Sequence, residues 1–154
     1  MIKHIFVGLA LLPLLAFAQV SNLGIGRDVS GNVRIIDGNY ECSYGSITEN
    51  ETLKGNFKSA NIYVENMENE TILFIASFPG NISVNPPITG KIDQTKELVT
   101  YRYTDKKDKS FVIGASSSKG VYAMIAVKND LLGASTLIYN CKMIKNLEHP
   151  MPTD

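Results

Sequence analysis

From Val33 onward the chain is written in runs of four to nine apolar or alternating residues, each stopped by Gly, Pro, Asn or Asp. That rhythm predicts strands, since side chains alternate between the two faces of a strand and turn residues punctuate its ends. "VRII" ends at Asp37 and Gly38, a pair that tolerates the positive backbone angles of tight hairpin turns. "YECSY" then places Tyr40, Cys42 and Tyr44 on one face, with Glu41 and Ser43 on the other. "TLKGNFK" and "NIYVE" read as two further strands, and "TILFIASF" is apolar almost throughout, as expected of a strand buried on both faces. The Pro- and Gly-dense "PGNISVNPPITG" predicts an edge or a bend.

The second half is more regular. "ELVTYRYT" sets Val99, Tyr101 and Tyr103 against Leu98, Thr100, Arg102 and Thr104, and "DKKDK" follows as a charged turn. "SFVIGAS", "VYAMIAV" and "ASTLIYNCKMI" complete the set, the last with Leu137, Tyr139, Cys141 and Met143 on a common face. No stretch carries a capped amphipathic helix of ten residues, and "KNDLLGAS" has room for one turn at most. The expected fold is all-β: a single antiparallel domain of eight to ten short strands over residues 33–145, either a small barrel or a two-sheet sandwich.

The ends read differently. "MIKHIFVGLALLPLLAFA" has a short polar head, an apolar run and the small-residue pattern Ala16, Phe17, Ala18, the layout of a cleaved signal peptide spanning residues 1–18. The run is short for a membrane span and Pro13 interrupts it, so no span is expected after cleavage. Residues 19–32, rich in Gly, Ser and Asn, read as a flexible arm, and residues 146–154, with two prolines among the last five, as a loose tail.

Export changes the reading of the two cysteines. Cys42 and Cys141 are the only pair in the chain and would meet an oxidising compartment, secreted or periplasmic, so one disulfide between them is expected. A bond from an early strand to the last one closes a sheet, which favours the barrel over the sandwich.

Composition removes several chemistries. The 15 basic residues balance the 15 acidic ones, and the one basic cluster, Lys106, Lys107 and Lys109, is interrupted by Asp105 and Asp108, so no nucleic-acid partner is expected. His149 is the single histidine beyond the leader, leaving no imidazole base for a Ser-His or Cys-His site and no His/Cys set for zinc. Ser116-x-x-Lys119 has the spacing of penicillin-recognising enzymes but falls between two strands and reads as a hairpin turn. Glu65, Glu68 and Glu70 could in principle pair as glycosidase acids, yet sit in a polar loop. Asp28, Ser30 and Asn32 have part of a calcium-loop spacing without its twelfth-position glutamate. Asn50, Asn69 and Asn81 begin Asn-x-Ser/Thr sequons, relevant only in a eukaryotic source.

What remains is a non-enzymatic reading without cofactor or metal: a binding module that contacts another protein, of inhibitor, immunity or adhesion-accessory type. Tyr101, Arg102 and Tyr103, beside Lys106 and Lys107, are its candidate contact residues, since Tyr and Arg dominate interface energetics. The alternative is a carrier of a small apolar ligand inside the barrel, in the manner of lipocalins. Finally, Tyr40-x-Cys42 near the start and Asn140-Cys141 on the last strand resemble the framing of periplasmic inhibitors of C-type lysozyme, small disulfide-bearing β-barrels that also carry a Ser-Gly-x-x-Tyr loop. "SKGVY" at Ser118 to Tyr122 departs from that loop in part. The resemblance implies lysozyme inhibition as a further alternative.

Overall fold

A computed structural model of the chain describes residues 22–47, 53–106, 109–126 and 135–148. The leader expected over residues 1–18, Asn50, Lys107, the "KNDLLG" turn and His149 lie outside them. Eleven strands are formed: β1 Ile25–Arg27, β2 Val33–Ile35, β3 Gly38–Ile47, β4 Leu53–Met67, β5 Thr71–Phe78, β6 Ile82–Val84, β7 Thr89–Gln94, β8 Leu98–Thr104, β9 Ser110–Ser116, β10 Gly120–Ala126 and β11 Ser135–Asn146. Eight of them, all but β1, β2 and β6, close an antiparallel barrel in which each pairs with the next in sequence and β11 returns to pair with β3. The fold is therefore the barrel. β6 extends the sheet alongside β5 and is an edge strand, as the Pro-rich sequence around it predicts.

Period-two alternation fills the interior. In β5 Ile72, Phe74, Ala76 and Phe78 are buried while Leu73 and Ile75 are half-buried and Ser77 is exposed. So "TILFIASF" buries one face, not both; its outward positions happen to be apolar. Tyr40 and Cys42 of β3 share a face, as do Val99 and Tyr101 of β8, as the alternation predicts, and both faces point inward. Each such side chain contributes about 1.5–3 kcal/mol by leaving water, offset largely by the entropy of ordering the chain.

Cys42 and Cys141 are joined, their Cα atoms 4.1 Å apart, and the bond lies on the β3–β11 seam where the barrel closes. The disulfide places the domain in an oxidising environment. Its partner face is not the one the alternation predicts. Between the pairs Tyr139–Ser43 and Lys142–Glu41, β11 carries one extra residue, and Asn140 takes the left-handed conformation (φ 50°). This bulge inverts the alternation: Thr136 and Ile138 point inward before it and Cys141 after it, so Tyr139 and Cys141 do not share a face.

Two other expectations give way. "VRII" and "YECSY" do not form a hairpin, because β2 pairs with β1 (Ile25 opposite Ile35) while β3 turns into the barrel. Gly38 serves close approach there: a Cβ would lie 2.3 Å from the Lys145 carbonyl oxygen. "TLKGNFK" and "NIYVE" are one continuous strand, β4.

The β1–β2 hairpin plugs one end of the barrel. Ile25, Val33 and Ile35 join the core, and the outer edge of β2 is hydrogen-bonded by the rim: the Val33 amide donates to the Thr95 carbonyl (2.8 Å), Gln94 Nε2 to the Val33 carbonyl (2.8 Å) and Asn66 Nδ2 to the Ile35 carbonyl (2.7 Å). The expected arm of residues 19–32 is thus a structural element from at least Ile25 onward. The expected tail is engaged as well. The Leu147 amide donates to the Asp37 carbonyl (2.9 Å), and Arg34 of β2 donates through both terminal nitrogens to Glu148 (2.8 and 2.5 Å).

Glu148 also accepts from the Asp37 amide at 2.9 Å. Partial burial pushes its carboxyl up, but the Arg34 guanidinium and the Asp37 amide outweigh this and hold it below the usual range. A lowered folded-state pKa means stabilisation that is complete above the ordinary carboxylate pKa and lost as pH falls through the folded value. Glu148→Gln should therefore cost about 1–2 kcal/mol at neutral pH. The difference from wild type should vanish as urea midpoints are compared at successively lower pH below about 4.5.

Candidate functional site

The residues singled out by sequence do not converge. Tyr101 is 4% exposed inside the barrel, its hydroxyl 3.5 Å from Asn66 Oδ1, and burial pushes its phenol pKa up. Arg102 lies on the opposite, exposed face of the same strand. Tyr103 is half-buried and packs a tilted ring against Phe111, centroids 6.1 Å apart. Lys106 is exposed in the turn after β8, and Lys107 lies outside the described residues. Tyr101 is therefore a core residue and cannot share a contact surface with Arg102. Of the three acidic residues read as one loop, Glu65 lies on β4 and accepts from the Tyr63 hydroxyl at 2.6 Å, while Glu70 pairs with Lys91 at 2.8 Å. The Ser116 to Lys119 stretch forms the β9–β10 turn, where the Lys119 amide donates to Ser116 Oγ at 3.0 Å. Among the described residues no group of three His, Cys, Asp or Glu side chains could hold a metal ion.

What the fold does assemble is the tip of the plug. Asp28 caps the turn from within: its Oδ1 accepts from the Ser30 and Asn32 amides, both at 2.9 Å, and its own amide and carbonyl bond to the Asn32 carbonyl and the Gly31 amide, both at 3.0 Å. Asp is suited to this because its short side chain reaches its own backbone two residues on. Gly31 supplies the positive φ (80°) that returns the chain to β2. From outside, Arg27 Nη1 donates to the Gly31 carbonyl (3.1 Å) and to the Lys96 carbonyl, tying the tip to the β7–β8 turn. That turn is tied in turn to the β9–β10 turn, since the Ser117 hydroxyl donates to Glu97 (2.8 Å) and the Ser117 amide to the Glu97 carbonyl (2.9 Å).

At the centre of this braced loop stands Val29, fully exposed with a relative accessibility of 108%. The isopropyl group stands in water on a loop fixed by six hydrogen bonds, so burying it would cost little chain freedom. Sequence reading passed over Val29 because a lone valine among Asp, Ser, Gly and Asn has no period. The available signal was Asp28, Ser30 and Asn32, which read as an incomplete cation loop and prove to be turn chemistry.

The molecule is thus an up-and-down eight-stranded β-barrel with a stapled seam and a plugged end. In comparisons with known proteins, no family model, no curated protein and no solved structure matches the chain.

Proposed function

We propose that this protein is an exported, secreted or periplasmic, non-enzymatic binding module that contacts another protein, of inhibitor, immunity or adhesion-accessory type, through the tip of its plug hairpin. The observation that carries this reading is Val29, fully exposed on a loop that Asp28 and Arg27 hold in one conformation. An apolar anchor entering a partner's pocket, ringed by near-neutral contacts, is the recurrent source of interface energy. The carrier reading has less support, because Tyr40, Phe74, Ile62, Ile72, Ile113 and Ile138 fill the barrel interior.

The test is capture from an extract of the compartment outside the membrane with wild-type and Val29→Asp protein as bait. Wild type should retain one stoichiometric partner and the variant should lose it, about 2 kcal/mol or more of affinity, with its own melting temperature unchanged. Retention of the same partner by Val29→Asp refutes the role of the tip.

Lysozyme inhibition is a second reading within the same class. The disulfide-bearing barrel is what the resemblance at Tyr40-x-Cys42 and Asn140-Cys141 implies, and Ser118 to Tyr122 lies at the same end as the plug. Inhibition of bacterial-wall lysis by a C-type lysozyme supports it; undiminished lysis at excess protein removes it.

A further inference from the structure

Along the outer wall β10 and β11 separate. They pair from Ala126–Ser135 to Ala123–Ile138, and Gly120, Val121 and Tyr122 have no partner on β11, whose bulge begins just beyond. Beside this parting lies an open groove of about 680 Å³, lined by the disulfide-bonded Cys42 and Cys141, by Leu23 and by the polar residues Glu41, Ser43, Ser59, Ser118, Lys119, Asn140 and Lys142.

None of these seven side chains hydrogen-bonds or ion-pairs with another residue among those described, and all but the half-buried Ser43 are exposed. Two ammonium groups, one carboxylate, three hydroxyls and one carboxamide therefore line a single open concavity, where a solute can take the place of the water that solvates them. The ammonium groups leave a net positive charge in the groove and select an anion. The hydroxyls and the amide both donate and accept, and the Glu41 carboxylate accepts from neighbouring hydroxyls of a ligand; together these match a polyol better than a peptide or an apolar molecule. The volume falls in the small-ligand range of roughly 300–1,000 Å³.

We propose that this groove binds a small acidic sugar, one or two rings bearing a carboxylate or a phosphate, with Lys119 and Lys142 on the anion and Glu41, Ser43, Ser59 and Asn140 on the hydroxyls. The site does not involve Val29, so Val29→Asp leaves it intact, and its success or failure is separate from that of the protein-binding reading.

The experiment is a titration of the nitrogen-15-labelled protein with D-glucuronate, glucose 6-phosphate and, as neutral reference, glucose, following the backbone amides of residues 41–43, 118–120 and 140–142. Either anion should move these signals saturably with a millimolar Kd, and glucose should bind at least about tenfold more weakly for want of the charged contacts. Lys119→Ala and Lys142→Ala should each raise the Kd about three- to tenfold, while Lys106→Ala, on a distant turn, should not. Saturation by glucuronate alone assigns the carboxylate, and by glucose 6-phosphate alone the phosphate. The proposal fails if neither anion saturates below about 50 mM, a concentration at which binding is worth under 2 kcal/mol. It fails equally if glucose binds as well as the anions or if the double lysine variant binds as wild type does.

Discussion

Replacing Cys42 and Cys141 together by serine should lower the unfolding free energy by about 2–5 kcal/mol, and the melting temperature by roughly 10 °C, in calorimetry under otherwise identical conditions. The size of the effect follows from topology. The bond spans 99 residues of sequence but joins strands that are already neighbours in the barrel, so it removes freedom from the unfolded chain while asking for no rearrangement of the folded one. The serine variant should retain the wild-type far-ultraviolet circular dichroism at low temperature, since the β3–β11 ladder supplies its own hydrogen bonds. Unchanged melting would mean that the seam is held by the ladder alone.

Tyr40→Ala should cost about 3–5 kcal/mol, measured by urea unfolding. Tyr40 is fully buried at the junction of barrel and plug, where its hydroxyl donates to the Ile36 carbonyl and lies 3.5 Å from that of Gly24. Its ring leaves no room above Gly24, at which a Cβ would come within 2.1 Å of the Tyr40 ring. Truncation therefore opens a cavity and frees the hairpin in one step. Tyr40→Phe separates the two contributions: it keeps the ring and strands the Ile36 carbonyl, a loss of about 1–3 kcal/mol. Burial holds the Tyr40 phenol far above its ordinary pKa, so its contribution is fully present below about pH 10 and is lost progressively as pH rises from there towards the folded value, because the unfolded phenol ionises first.

The sequence was legible wherever strands run without interruption. Alternation alone put Tyr40 with Cys42 and Val99 with Tyr101 on shared faces, both of which prove to be inward, and the two cysteines were paired by compartment and count. It failed where one residue breaks the period. Asn140 in the left-handed conformation looks, in sequence, like any asparagine in a strand, yet it reverses every face beyond it. The plug was missed for another reason. Val33, Arg34 and Ile35 are anchored by Thr95, Gln94, Asn66 and Glu148, partners from 31 to 114 residues distant, and no local pattern records such bonds. The candidate contacts were misjudged because Tyr101 and Arg102, adjacent in sequence, are separated by the thickness of a strand. Val29 carried no periodic signal at all.

Because β3 must wait for β11, the last strand of the barrel to be synthesised, the growing chain keeps two unsatisfied edges until β11 is made. Without β11 the ring stays open, and a chain that stops before it has a raw margin on either side. Cys42 and Cys141 are brought together by that same event, so the rate at which free thiol disappears during oxidative refolding is a clock for barrel closure, readable with a simple alkylating reagent.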